Sequence, residues 1–295
     1  MRGLYRALFR AACGIGRPVG GLRPRRIYHW LAERGFDRDH IELAWHRDRW
    51  GNELLLSPYY FIDRHILAFG CYDAELHDYL EAHLKPGMIC LDVGANMGEV
   101  ALQMARLVGP GGRVYAFEPV DHVRERLRAN VVRNGYEASV LVREEALLDR
   151  EGPAEIRASL PTAANQGRAS LIDDENAFLT QRLPVVTTTL DRFAARESLP
   201  RIDLVKVDIQ GSEPRMIRGA EKSFERYGPD VLMEVAPWEL RFEGMTGGDL
   251  IRQMEGFGYE AYRIAGADAS ERVTAEALPE RGPARNLLFA KRRPR

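Results

Sequence analysis

The stretch CLDVGANMGEVALQMARLVGPGGRVYAFEP, Cys90 to Pro119, constrains the fold more than any other part of the chain. Two short apolar runs, MICLDVG and RVYAFEP, flank a segment with helical apolar spacing from about Met97 to Leu107, and small residues join the first run to that segment. Short apolar runs around a helical period read as strand, helix, strand, a unit whose crossover sets the two strands parallel. The alternation continues with a helical pattern from about His122 to Arg133 and then SVLVREEAL. A polar interruption from about Ala154 to Pro184 contains TAANQGRASLIDDEN; PVVTTTL, IDLVKVDIQG and DVLMEVAP then resume the rhythm, with YEAYRI and NLLFAKR as the last two strands. Apolar strands interleaved with helices predict a parallel sheet covered on both faces, a doubly wound α/β domain. At 295 residues and 45% hydrophobic content, the chain can bury one such core.

The domain is expected over residues 70–292, after an extension over 1–69 that reads as helical or irregular pieces without a strand signature. A net charge of −1 gives the molecule no general attraction for nucleic acid or anionic membrane. Neither a basic groove nor a D/N-P-P-Y motif supports a nucleic-acid substrate. One asymmetry is local: seven arginines and no acid precede Glu33. MRGLYRALFRAACGIG sets Leu4, Leu8 and Ala11 at helical spacing with Arg2, Arg6 and Arg10 on another side. Such a helix suits a membrane or partner surface, and it also suits the plainer reading, preferred on sequence alone, of a solvated helix capping the domain. Arginines interrupt every candidate secretory core, and no run reaches the roughly 18 apolar residues of a membrane span. Cys13, Cys71 and Cys90 have no metal-ligand or redox spacing, which fits a reduced, cytoplasmic compartment and no metal site.

In a doubly wound sheet, ligands bind beyond the carboxyl ends of the strands where strand order reverses. Gly94, Asn96 and Gly98 follow the first strand and open the next helix, so a ligand can approach backbone N–H groups there. Glu118 ends the second strand 24 residues after Gly94, close to the spacing at which an acid accepts both hydroxyls of an adenosine ribose. A nicotinamide dinucleotide needs G-x-G-x-x-G for its pyrophosphate, whereas this chain reads G-A-N-M-G-E, with Asn96 at the second glycine and Glu99 near the phosphate position. Asp92 adds further negative charge. These acids favour a cationic adenosyl ligand, S-adenosyl-L-methionine, with Asp92 near its amino acid portion and Glu118 on its ribose.

The residues resemble the FkbM family of S-adenosylmethionine-dependent methyltransferases. LDVGANMGEVAL, VYAFEP, LRANVVRNG, NQGRASL, TTTLDRF, IDLVKVDIQGSEPRMIRGA, DVLMEVAP and NLLFAKR follow in the family's order, covering about two hundred residues from Gly70 onward. The resemblance implies a Rossmann-like class I methyltransferase fold with a mostly parallel seven-stranded sheet. It implies O-methylation of a sugar hydroxyl or a secondary metabolite, with a small-molecule or glycan acceptor. It puts Asp92, Gly94, Asn96 and Gly98 at the methionine end of the cofactor, Glu118 on the ribose, Glu145 and Ala146 beside the adenine, and Tyr72 and Glu75 among the pocket residues. One departure is Gln210, where the family usually has an acid in K-I-D-V-E-G-A-E.

For the chemistry, Asp208 and Glu234 are expected to end adjacent central strands and point into the crevice, so either can act as general base toward an acceptor. Lys206 shares Asp208's strand face and reads as its ion-pair partner. Glu213 reads as a helix-end acid beside a capping Ser212. His65 and His77 are secondary candidates for a base, and Trp238 for stacking on an acceptor or sealing the sheet end. The alternatives are a nicotinamide-dependent oxidoreductase and a non-catalytic adenosyl-binding protein. Nothing in the sequence fixes the oligomeric state.

Overall fold

Fourteen strands among the described residues fall into three sheets in the computed structural model, which describes residues 2–14, 22–36, 41–164, 169–170, 181–279 and 281–291. In chain order they are β1 (Ala44–Arg47), β2 (Glu53–Leu56), β3 (Ile89–Val93), β4 (Arg113–Phe117), β5 (Val140–Arg143), β6 (Ala146–Leu147) and β7 (Gly152–Ala158). Then come β8 (Ala169–Ser170), β9 (Gln181–Thr188), β10 (Leu204–Val207), β11 (Asp230–Val235), β12 (Tyr259–Ala265), β13 (Asp268–Val273) and β14 (Arg285–Lys291).

The central sheet has the order β13-β12-β14-β11-β10-β3-β4-β5. From β5 to β11 the strands are parallel, while β14 runs antiparallel between β11 and β12. This is the doubly wound seven-stranded arrangement, lengthened at one edge by β13, which pairs antiparallel with β12. The chain leaves β3 toward β4 and β5, then returns to lay β10 on β3's other side. The strand order therefore reverses between β3 and β10, and a crevice opens beyond their carboxyl ends.

Side chains alternate across this sheet into two cores. Leu91, Val93, Val205, Val207, Val231 and Met233 join one core. Cys90, Val114, Ala116, Leu204, Leu232 and Leu288 join the other, where the helix Glu99–Val108 lays Ala101, Leu102, Met104 and Ala105. Fully burying one such Val or Leu stabilises by about 1.5–3 kcal/mol. Two-sided burial explains why these strands read as unbroken apolar runs.

Two parts depart from the sequence expectation. Residues 44–56, expected without strands, form the hairpin β1–β2. Side chains of the helix Asp121–Arg133 and of Asn134 just beyond it tie it down: Asn134 Oδ1 accepts from Glu53 N and Asn130 Oδ1 from Leu55 N, both at 2.8 Å. Leu54 and Leu56 are then fully buried in the second core. PVVTTTL, expected to continue the main sheet, lies in β9 of a separate four-stranded sheet ordered β6-β9-β7-β8. There β6 reaches only Thr187 and Thr188, so at Pro184 β9 has β7 alone as a neighbour and a missing N–H is tolerated. Most of TAANQGRASLIDDEN lies outside the described residues.

Ahead of the hairpin, the helices Arg2–Gly14 and Leu22–Gly35 pack on each other through Phe9, Leu31, Ala32 and Phe36. Among the described residues no helix is long and apolar enough to cross a membrane.

Candidate functional site

The crevice is shaped by two turns, one after β3 and one after β10. Gly94 has φ +78°, and a Cβ there would lie 1.9 Å from the Asp208 carbonyl oxygen, so only glycine lets the two turns meet. Gly98 has φ +94°, and its Cβ would strike Leu127 Cδ1 at 2.4 Å, which lets the next helix start close against its neighbour. Asn96, at φ +51°, donates its N–H to Glu118 Oε2 (3.0 Å), while Val120 N donates to Glu118 Oε1 (2.9 Å). Glu118 is thus held by the backbone of the turn after β3 and of the segment that follows β4, and each carboxylate oxygen retains acceptor capacity. Burial pushes its carboxyl up to about 7, against the pull of those two N–H groups. Asn130 Nδ2 donates to Met97 O (2.7 Å), so the side chain that clamps the hairpin also fixes the glycine turn.

A charged row lies beside these turns. Lys206 faces Asp92 across the β10–β3 pair, with Nζ 3.4 Å from Asp92 Oδ1 and 3.7 Å from Asp208 Oδ2, and it donates to Gly94 O at 3.1 Å. Burial alone would lower the Lys206 ammonium, but the Asp92 and Asp208 charges outweigh it and hold its pKa above the ordinary value. Lys206 is therefore nearer to Asp92 than to Asp208, the partner expected from the sequence. Asp208 retains 35% side-chain exposure and accepts from Gln210 Nε2 at 2.9 Å. Gln210 has φ +54°, a left-handed conformation that costs a non-glycine residue of the order of 1–3 kcal/mol and persists only where its surroundings hold it. An acid at 210 would present no donor to Asp208; the amide does. Glu234, on the neighbouring strand, is pushed up to about 9 by the Asp208 charge and then by burial. The Tyr72 phenol is pushed up to about 12 by partial burial and by the Glu234 and Asp208 charges.

Two cavities meet along this row. The smaller, about 230 Å³, is lined by Gly94, Asn96, Glu118, Glu145, Ala146, Asp208 and Glu234, with Phe117, Leu147 and Ile156 as apolar wall. The larger, about 820 Å³, shares Gly94, Asn96, Asp208, Glu234, Phe61 and Tyr72 with it and extends past Glu75, His29, His65, Arg263 and Arg285. Seven of the nine expected site residues thus line one cavity. The other two stand behind it: Asp92 is fully buried beside Lys206, and Gly98 is a packing position.

Other expectations change in detail. Glu145 is ion-paired with Arg196 at 2.6 Å. Ser212 makes no side-chain cap to its helix; the buried Glu213 instead accepts from Ile209 N at 3.0 Å and braces the turn after Asp208. Glu99 faces neither turn: it accepts from Tyr72 N (2.9 Å) and lies 3.3 Å from His77 Nε2. His77 and His65 both border the larger cavity; His77 is fully buried, its two ring nitrogens turned to Gln103 and Glu99, and His65 has Nδ1 3.3 Å from His29 Nε2. Trp238, 36% exposed, lines the smaller cavity. Phe61 and Ile156 were not legible as site residues, because each lies in a segment without a motif and reaches the crevice only by tertiary packing.

The family profile described as Methyltransferase FkbM domain matches residues 92–261, more than half of the chain. The 31-O-demethyl-FK506 methyltransferase FkbM of Streptomyces tacrolimicus is 30% identical over 183 residues, 55% of this chain and 68% of that protein. The 2-O-methyltransferase NoeI of Sinorhizobium fredii is 26% identical over 152 residues, 48% of this chain and 61% of that protein. The AMB antimetabolite synthetase AmbE of Pseudomonas aeruginosa is 29% identical over 230 residues, which are 66% of this chain but only 11% of the synthetase. The match thus spans from about a tenth to about two thirds of these relatives' lengths. A crystal structure of the methyltransferase FkbM from Methylobacillus flagellatus covers 96% of this chain and 57% of its own, at 13% identity and a TM-score of 0.41.

Proposed function

This chain belongs to the FkbM methyltransferase family, and from that premise we propose that it transfers a methyl group from S-adenosyl-L-methionine to a hydroxyl of a sugar or a secondary metabolite. The dinucleotide alternative falls with the family match. When bound, the cofactor supplies a methyl group activated on a sulfonium. The observation that carries the reading is Glu118: a carboxylate at the end of β4, locked by Asn96 N and Val120 N, that opens onto a cavity with apolar walls. It suits a ribose diol, whose two O–H groups need acceptors. Glu145 and Ala146 then border the base, and Gly94 and Asn96 the amino acid end. Asp92 acts through Lys206, which grips Gly94 O and fixes the turn.

Asp208 and Glu234 divide the acceptor chemistry. The raised pKa of Glu234 suits it to donate a hydrogen bond rather than to act as the base. Glu234, held protonated at neutral pH mainly by the Asp208 charge, donates a hydrogen bond that orients the acceptor oxygen. Asp208, oriented by Gln210, accepts the acceptor's proton as the oxygen gains its methyl group. Phe61, Tyr72 and Trp238, each 36–42% exposed, ring the cavities and offer apolar faces to an acceptor ring while displacing water. A cytoplasmic location belongs to the same reading and is supported by the free thiols of Cys13, Cys71 and Cys90.

The test is incubation of the protein and methyl-labelled S-adenosyl-L-methionine with hydroxylated glycans and secondary metabolites, followed by mass spectrometry of the products. A methyl ether formed by the wild type and lost in Asp208→Asn is expected. Labelled nitrogen or carbon in place of oxygen, or a protein that does not bind S-adenosylhomocysteine, would sink the reading.

A further inference from the structure

The paired helices Arg2–Gly14 and Leu22–Gly35 use one apolar stripe to hold each other: Phe9 is 2% exposed and packs with Leu31, Ala32 and Phe36. A second stripe faces outward. Leu4 and Leu8, one helical turn apart, are 62% and 45% exposed, and on the second helix Ile27 and Trp30 are 58% and 44% exposed. Tyr5 meets the Trp30 ring edge-on at 5.4 Å, so the two exposed rows adjoin. A solvated capping helix needs only its inner stripe. The outer one calls for something to cover it.

The charge around this stripe narrows what covers it. The sequence carries seven arginines and no acid ahead of Glu33, in a chain whose net charge is −1. Arg10 is exposed, and the Arg34 guanidinium lies over the Trp30 ring at 4.3 Å. Exposed Leu, Ile and Trp side chains on arginine-bearing helices too short and too polar to span are the pattern of a helix that lies in a membrane interface. A nucleic acid would use the arginines and leave the leucines in water. A second copy docked through the same patch on a two-fold axis would set the arginines of one chain against those of the other.

We propose that this helical pair docks the protein on an anionic lipid surface, its apolar row in the headgroup boundary and its arginines on the lipid charge. The second helix also carries His29, which lines the larger cavity, so docking holds that cavity beside the bilayer surface. The proposal is independent of the methyl-transfer reading.

The test is vesicle co-sedimentation of the full chain. Wild type is expected to bind phosphatidylcholine vesicles containing phosphatidylglycerol at least about tenfold more tightly than pure phosphatidylcholine, and to release in high salt. Leu4→Glu/Leu8→Glu should abolish this binding while leaving the circular dichroism spectrum and S-adenosylhomocysteine affinity unchanged, and Arg10→Glu should weaken it. Three results would overturn the proposal: no binding to either vesicle, equal binding to both, or a wild-type dimer in solution that Leu4→Glu/Leu8→Glu converts to a monomer. Loss of vesicle binding to an equimolar DNA duplex would do the same, marking the patch as a nucleic-acid site.

Discussion

Lowering the pH should weaken cofactor binding through one carboxyl, Glu118. Without ligand it stands at about 7, because burial disfavours its charge more than Asn96 N and Val120 N favour it. A ribose diol brings O–H donors that bind the charged form. One charge-assisted hydrogen bond contributes about 1.5–3 kcal/mol, and 1.36 kcal/mol corresponds to one pKa unit, so a single diol bond lowers the bound carboxyl by about one to two units. The bound pKa then lies below the free one. Affinity for S-adenosylhomocysteine is accordingly highest above about pH 7, falls by up to about tenfold per unit below it, and levels once the bound carboxyl titrates, a total loss of about ten- to a hundredfold. Calorimetry across pH, in buffers of different ionisation enthalpy, reads both this loss and the release of about one proton on binding in acid solution. Glu118→Gln should remove the pH step and hold affinity at its weak limit. A flat wild-type profile, or Glu118→Gln with wild-type affinity, would refute the assignment of the ribose to this residue.

Other expectations concern the charged row and the turns. Asp208→Asn keeps the shape and removes the base, so turnover should fall by about 10² or more with S-adenosylhomocysteine affinity unchanged; normal turnover on the true acceptor would shift the role to Glu234. Lys206→Met leaves Asp92 charged, buried and uncompensated, and urea unfolding should show a loss of about 3–5 kcal/mol. A change below about 1 kcal/mol would mean that Asp92 is already neutral in the folded protein. Gly94→Ala drives a Cβ to 1.9 Å from the Asp208 carbonyl oxygen and should part the two turns, abolishing cofactor binding in calorimetry; retained affinity would show that the turns can separate without harm to the site.

The middle of the central sheet was legible because β4, β3, β10 and β11 are buried on both faces and each crossover helix keeps its own period, whereas the edge strand β13, mostly exposed, carries no such run. Glu118 was legible for the opposite reason, as an acid at the end of an apolar run that a core would not hold without use. The β1–β2 hairpin was not, because all four residues of β1 are exposed and carry no alternation, and its partner strand is held by Asn130 and Asn134, about 80 residues away in the chain. β9 was assigned to the wrong sheet because an isolated strand pattern does not say which edge it will meet. At the site, the pairing of Lys206 with Asp92 depends on the β10–β3 register, which no local pattern encodes. Gln210 stood out as a departure, but its use as a donor to Asp208 follows from a left-handed backbone conformation that sequence does not reveal.

The two cavities draw on different parts of the chain. Gly94, Asn96, Glu118, Glu145 and Ala146 all fall inside residues 92–261, the span matched by the family profile. Much of the larger cavity's wall does not: His29, Phe61, His65, Tyr72 and Glu75 precede that span, and Arg263 and Arg285 follow it. On the proposed function, donor binding then rests mainly on the middle of the chain and the choice of acceptor mainly on its flanks, and the two cavities meet at Gly94, Asn96, Asp208 and Glu234 from the middle and at Phe61 and Tyr72 from the flank. Exchanging the flanks between relatives, with the middle held constant, would then move selectivity from one acceptor to another while the shared chemistry stays in place.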